Sequence, residues 1–239
     1  MAGALLEVEG LTKRFGGFTA LNRVSVQVKP GERFGLIGPN GSGKTTLINC
    51  ISGTLRNEGG TIRFAGHDIT GLPAHRRTRL GIVRTFQIPK PFASMTVLEN
   101  LRIPMEYAAH RHGADAVAGA MGILELMGLG AKAHVTAAAL TQIEMRKLEL
   151  ARALAAKPKL LVADEAMAGL SSGEVDDILA ILFRLNEQDI TIIMIEHIMR
   201  AVMRFSERVV VLDAGERIAE GTPDEIVKNP AVEKAYLGE

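Results

Sequence analysis

The stretch "GPNGSGKTT", Gly38 to Thr46, constrains this chain more than any other part of it. It fits G-x-x-x-x-G-K-[ST] through Gly38, Gly43, Lys44 and Thr45, with Pro39, Asn40, Gly41 and Ser42 filling the loop and Thr46 following it. The residue types answer separate physical demands. Glycine lets successive backbone N–H groups turn inward around phosphate oxygens, where a Cβ would obstruct the approach. The following "TTLINCIS" reads as a helix whose positive pole points at the same anion. Lys44 can reach the β- and γ-phosphates, and the Thr45 hydroxyl can ligate Mg²⁺. The preceding "RFGLIG" reads as a buried strand, and this strand–loop–helix context separates a phosphate loop from a chance match. Cys50 falls on the helix and reads as an inert buried thiol.

The rest of the chain supplies strands and helices in an order that suits an α/β core. "VSVQV" (24–28) alternates with period two before the turn Pro30-Gly31, and "TIRFAGHDI" (61–69) repeats a strand–turn pattern. From about residue 90 the pattern turns helical. Thr96 and Glu99 form a capping box, and strand signals stop until Leu160. Pro158 closes a helix that begins near Thr141. Beyond it come a strand "KLLVADE", a Ser171/Glu174 capping box opening "DDILAILFRLN", and a strand "ITIIMIEH". A hairpin turns at Asp213-Ala214-Gly215, Thr222 to Glu225 is a cap with Pro223 at the first helical position, and Asn229-Pro230 starts a last helix. The expectation is one nucleotide-binding domain, with a core over 1–89 and 158–239 and a helical subdomain inserted at about 90–157.

"LLVADE" ends its strand in two carboxylates. Beside a phosphate loop, Asp164 is placed to hold Mg²⁺ through water, and Glu165 to polarise an attacking water as a general base. His197 also follows a strand, at the edge where ligands of open α/β sheets collect. Gln87, in "VRTFQ", is a polar residue after an apolar stretch, and Phe15, in "TKRFGG", is an aromatic that could stack on a base. By position alone each of these three reads equally well as a local structural residue.

Charge narrows the partners. With 28 Lys and Arg against 27 Asp and Glu, the net charge of +1 gives no footprint for nucleic acid, and none is expected as a partner. One cysteine permits no internal disulfide and points to a reducing compartment. "MAGALLEVEG" lacks the basic region of a signal peptide. No apolar run approaches the roughly 20 residues a membrane-crossing helix needs. The run "HRRTR" at 75–79 reads as a solvated helix face, with lipid headgroups as the alternative contact.

These pieces, in this order, resemble the nucleotide-binding subunits of ABC transporters over nearly the whole chain. The resemblance implies a RecA-like P-loop core with an antiparallel β subdomain and an inserted helical subdomain. It makes Gly38 to Thr46 the Walker A loop, Phe15 the adenine-stacking aromatic, Asp164 the Walker B acid, Glu165 the general base and His197 the switch histidine. It makes Gln87 the Q-loop residue, joining Thr45 and Asp164 around Mg²⁺, with ATP as the nucleotide. It also implies transmembrane permease subunits docked on the helical region after Gln87, including Pro89 and Phe92, at the cytoplasmic face of the inner or plasma membrane. "RTFQIPKPFASMTVLENL" and "GTPDEIVKNPAVEKAYLGE" resemble the ATP-binding subunits of branched-chain amino acid importers. The related lipopolysaccharide-export ATPases have a similar tail.

One element departs from the family. The signature loop, usually close to L-S-G-G-Q, faces the ATP held by the partner's Walker A loop in a head-to-tail dimer. Here it reads Leu140, Thr141, Gln142, Ile143 and Glu144. The glycines are gone, Ile143 brings a β-branched side chain where backbone must approach phosphate, and Glu144 brings a negative charge. Thr141-x-x-Glu144 is also a capping box, which would consume helix-end donors that could otherwise face phosphate. Two expectations follow: a heterodimer with a second ATP-binding subunit is favoured over a homodimer, and a regulatory ATP-binding partner with little turnover of its own stays open as the alternative. Ala166, after the acid pair where Pro is usual, and Ser171, in the D-loop, also depart from the family pattern.

Overall fold

The computed structural model describes residues 3–86 and 89–237. In chain order its elements are β1 (Leu6–Phe15), β2 (Phe18–Val28), β3 (Arg33–Ile37), α1 (Lys44–Ser52), β4 (Gly59–Phe64), β5 (His67–Asp68), α2 (Ala74–Leu80) and β6 (Ile82–Arg84). Then follow α3 (Val97–Tyr107), α4 (Gly113–Leu126), α5 (Gln142–Ala155), β7 (Leu160–Asp164) and α6 (Ser172–Asn186). The chain ends with β8 (Thr191–Ile195), α7 (Met199–Phe205), β9 (Arg208–Asp213), β10 (Glu216–Gly221), α8 (Pro223–Val227) and α9 (Pro230–Leu237).

The strands make two sheets. One is antiparallel, in the order β2-β1-β4-β5, and the other runs β10-β9-β3-β8-β7-β6. In the second, β9, β3, β8, β7 and β6 are parallel neighbours and only β10 pairs antiparallel. Its central strands are apolar without interruption because both faces are covered, and alternate residues enter different cores. Leu161, Ala163, Ile192 and Met194 join the core under the helices, while Leu160, Val162, Ile193 and Ile195 face α1 and the antiparallel sheet.

The expected caps form. Thr96 accepts the Glu99 N–H at 3.2 Å while Glu99 accepts the Thr96 N–H at 2.8 Å, and the Thr222/Glu225 box closes the same way. Glu174 accepts the Ser171 N–H at 2.8 Å. The segment between Thr96 and Ala155 holds helices and short 3₁₀ turns, as the loss of strand signals implied. Strand lengths differ from the expectation. "VSVQV" is only the end of β2, whose alternation is broken between Leu21 and Val24, where its pairing with β1 shifts register between Leu11 and Lys13.

The run "HRRTR" requires a correction. Arg77 is 2% exposed, so it is neither on a solvated face nor free to meet lipid. Its Nη1 donates to the carbonyls of Cys50 at 2.6 Å and Ile51 at 2.9 Å, and its Nε and Nη2 donate to Leu72 and Thr70. The guanidinium thus satisfies orphan carbonyls at the C-terminal end of α1, where the helix dipole favours a cation. His75, Arg76 and Arg79 are exposed as expected. Cys50 is fully buried, and burial pushes its thiol up to about 11, so it is unreactive as expected.

Candidate nucleotide site

The phosphate loop connects β3 to α1, and its glycines answer real constraints. A Cβ on Gly38, at φ 149°, would stand 2.0 Å from the Leu212 carbonyl oxygen; one on Gly43, at φ 103°, would stand 2.7 Å from the Ala20 oxygen. No side chain fits either position without moving backbone. Lys44 opens α1, is 7% exposed, and donates from Nζ to the carbonyls of Gly38 at 2.8 Å and Pro39 at 2.9 Å. Burial pushes its ammonium below the ordinary value, against the pull of the Glu165 and Asp164 carboxylates. Thr45, the next residue, is exposed. Phe15 is 48% exposed at the end of β1, beside Lys13, whose Nζ lies 5.1 Å from its ring centroid. Its hairpin continues to Ala20, whose carbonyl oxygen lies beside Gly43 of the phosphate loop.

Asp164 ends β7 and Glu165 follows it, at the C-terminal edge of the parallel sheet. Glu165 is held in the left-handed region at φ 47°, a conformation worth about 1–3 kcal/mol of strain in a non-glycine residue. Its N–H donates to the Ile195 carbonyl at 2.8 Å. His197 Nε2 lies 3.1 Å from Glu165 Oε1, so two of the three residues that were ambiguous by position now stand apart: His197 is in hydrogen-bond contact with the acid, while Phe15 is exposed, with Lys13 beside its ring. Gln87 lies outside the described residues.

Sequence reasoning missed Arg84, at the end of β6. It donates from Nε and Nη2 to Asp164 Oδ2, at 3.1 and 2.5 Å, and from Nη1 to Asn49 on α1. No local pattern marks it, since the partner acid is 80 residues away. Among the described residues no group of three or more His, Cys, Asp or Glu side chains could enclose a metal ion. The Thr45 hydroxyl and the Asp164 carboxylate are hard oxygen donors, which suits Mg²⁺, an ion that keeps most of its shell as water and substrate phosphate.

The signature stretch behaves as its letters suggest. Thr141 caps α5: the Thr141 N–H donates to Glu144 Oε2 at 3.0 Å, and the Glu144 N–H to Thr141 Oγ1 at 3.4 Å. Leu140 and Ile143 are half-buried against the helical core, and Gln142 opens the helix. The charge of Glu144 is compensated in a way the sequence did not reveal, because Lys132 Nζ lies 2.6 Å from its Oε1. The Lys132 contact and the cap bonds hold this carboxyl below the usual range, so it stays ionised.

A parallel sheet with a phosphate loop after one strand, an acid pair after another and a histidine after a third defines a P-loop nucleotide hydrolase with an inserted helical region. A family model described as "ABC transporter" matches residues 21–168, and one described as "Branched-chain amino acid ATP-binding cassette transporter" matches residues 216–239. The chain belongs to the ABC transporter ATP-binding family. It is 41% identical, over 258 aligned residues and all of both chains, to the high-affinity branched-chain amino acid transport ATP-binding protein BraF of Pseudomonas aeruginosa. It is 39% identical, again over all of both chains, to LivG of Escherichia coli K12, which carries the same description. A crystal structure of an ABC transporter's ATP-binding cassette in its ADP conformation superposes with a TM-score of 0.90, at 36% identity and 99% coverage of each chain. A dimeric cassette in a post-hydrolysis state bound to ADP and Pi superposes with a TM-score of 0.81, at 26% identity and covering 91% of this chain and 98% of that one.

ATP binding and hydrolysis are therefore the activity of this chain, and cassettes of this family dimerise and work with transmembrane permease components. No helix among the described residues is long and apolar enough to cross a membrane.

Proposed function

We propose that this chain powers import of branched-chain or related amino acids, from the cytoplasmic face of the membrane, as one of two different ATP-binding subunits. The observation that carries the catalytic reading is the convergence of Lys44, Glu165 and His197 at one sheet edge, with Glu165 and His197 in contact at 3.1 Å. Adenine stacks on Phe15, and the backbone of Gly38 to Thr46 surrounds the phosphates. Lys44 exchanges its loop carbonyls for phosphate oxygens, a transfer its buried position favours because the anion replaces weaker partners. Glu165 takes a proton from the attacking water as its oxygen bonds to the γ-phosphorus, the bond to the ADP oxygen breaks, and ADP and phosphate are the products. His197 holds Glu165 in place at Oε1 and faces the same phosphate. Mg²⁺, when bound, neutralises phosphate charge, with Thr45, Gln87 and the Asp164 carboxylate (through water) as its protein-side ligands.

The core over 1–89 and 158–239 carries this chemistry, and the helical subdomain at about 90–157 receives the permease. The heterodimer follows from the signature stretch. Its own Walker residues are complete, whereas Thr141 and Glu144 use each other's donors and Ile143 blocks the close approach that glycine allows. A homodimer would carry two impaired sites, and a mixed dimer one good site. The filled capping box also favours a second reading, an ATP-binding regulatory partner with little turnover.

Size exclusion with light scattering on Glu165→Gln protein tests the assembly. An ATP-dependent dimer of the pure chain refutes the heterodimer, and a monomer that still binds ATP supports it. Turnover lost in Lys44→Ala but present in the wild-type complex supports the motor over the regulator. Amino acid uptake that does not depend on this subunit refutes the substrate assignment and leaves the lipopolysaccharide-export type as the rival.

A further inference from the structure

Two buried charged residues outside the reaction set grip the segment that follows Glu165. Glu196, 4% exposed at the end of β8, accepts the Met167 N–H on Oε1 at 2.8 Å. Arg146, 8% exposed in the second turn of α5, donates from Nη2 to the Ala168 carbonyl at 3.0 Å. Four residues earlier, on the same face of α5, the Gln142 side chain lies beside Gly169, where a Cβ would stand 2.7 Å from its Nε2. Residues 167 and 168 are thus held by two side chains, one from the sheet edge and one from the helix that begins at the signature loop, and Gln142 of that helix packs beside residue 169.

The segment so held starts at Glu165. Its left-handed backbone persists only where the surroundings over-determine it. Its N–H donates to the Ile195 carbonyl, and its own carbonyl accepts the Ala168 N–H at 3.3 Å. His197 touches its carboxylate, and residues 167 to 169 add restraint from further along the chain. Stability alone is a poor account of buried charges, because well-packed apolar residues often serve as well. Neither Arg146 nor Glu196 belongs to the phosphate loop or the metal-side acids. What they share is the peptide they hold.

We propose that Arg146 and Glu196, with Gln142, are positioning residues that set the carboxylate of Glu165 and tie its placement to the position of the signature helix. The inference rests on the reading of Glu165 as the general base. Glu196 anchors residue 167 to the sheet, while Arg146 and Gln142 carry any shift of α5 to residues 168 and 169. In a head-to-tail dimer the start of α5 faces the partner's nucleotide, so this contact set reports the state of the partner's site to this chain's own base. A degenerate signature loop can then still act on hydrolysis within its own chain, through the helix it begins.

The test measures Arg146→Met, Arg146→Lys, Glu196→Ala and Glu196→Gln in the full chain assembled with its permease and cassette partner, with Glu165→Gln alongside. Arg146→Met and Glu196→Ala lower kcat on the order of 10²-fold, the effect of misplacing a reacting group by about 1 Å. KM and binding of MgATP stay within about twofold, because the lost interaction acts on the transition state and not on ground-state binding. Arg146→Lys and Glu196→Gln recover most of the loss, since they keep a donor for Ala168 and an acceptor for Met167. An unchanged kcat in Arg146→Met and Glu196→Ala, with Glu165→Gln inactive, overturns the inference. So does a parallel fall of kcat and nucleotide binding, which marks simple loosening of the fold. Wild-type turnover in Glu165→Gln instead overturns the assignment of the base.

Discussion

Glu196 should give this protein a stability that declines between mildly acidic and mildly basic pH, and replacing it should remove the decline. Burial pushes its carboxyl from 4.5 up to about 7; repulsion from Glu165 adds to this, and the Met167 and His197 N–H groups and the Arg146 charge oppose it. Within that window the native state holds a proton that the unfolded chain has released, so stability falls as pH rises. Each pH unit there is worth about 1.4 kcal/mol, which makes the whole window roughly 3 kcal/mol. Glu149 is also raised by burial and adds a slope of the same sign, so the wild-type curve alone does not isolate Glu196. The comparison that does is wild type against Glu196→Gln, unfolded in urea at several values between pH 5 and 8. The wild type should lose roughly 3 kcal/mol relative to the variant across that range. Parallel pH curves for the two proteins would mean that Glu196 is ionised in the fold from the start, and would refute the argument from burial.

Four other outcomes follow from the same geometry. Arg77→Met leaves four carbonyls without their donor, and thermal melts should show a loss on the order of 3 kcal/mol. Its folded fraction should titrate ATP normally, because the phosphate loop is at the other end of α1; unchanged melting would refute the capping role. Gly38→Ala forces a methyl onto the Leu212 carbonyl and should abolish nucleotide binding in a fluorescent-ATP titration, where wild-type affinity would show that the loop can yield. Thr141→Ala removes the cap of α5 and should lower stability by about 1 kcal/mol, with no change in melting as the contrary result. Ile143→Gly should raise turnover at the partner's nucleotide, read in a mixed dimer in which this chain's own Walker site is disabled by Lys44→Ala; an increase seen only when Lys44 is intact would contradict the head-to-tail arrangement.

Much of the site was legible because its parts are local. The phosphate loop, the acid pair at a strand end and the capping boxes each span fewer than ten residues, and each formed as its spacing required. Strand lengths in the antiparallel sheet were less legible, since register shifts break the alternation that marks a half-buried strand. Arg77 was misread for a related reason. A basic run on a short helix looks solvated until another helix end, 26 residues earlier, supplies the carbonyls that hold it.

The sequence by itself determined the nucleotide chemistry, the α/β class and the capping box that opens α5, because residue type at fixed spacing is enough to demand a φ, a cap or a charge. Only the tertiary structure decided which charges meet. Arg84 finds Asp164 across 80 residues, Lys132 quiets Glu144, and Arg146 with Glu196 closes on the backbone beyond Glu165. Such pairs form between separate elements brought together by packing of the two cores, and no one-dimensional period records which side chains that packing will place within hydrogen-bond reach.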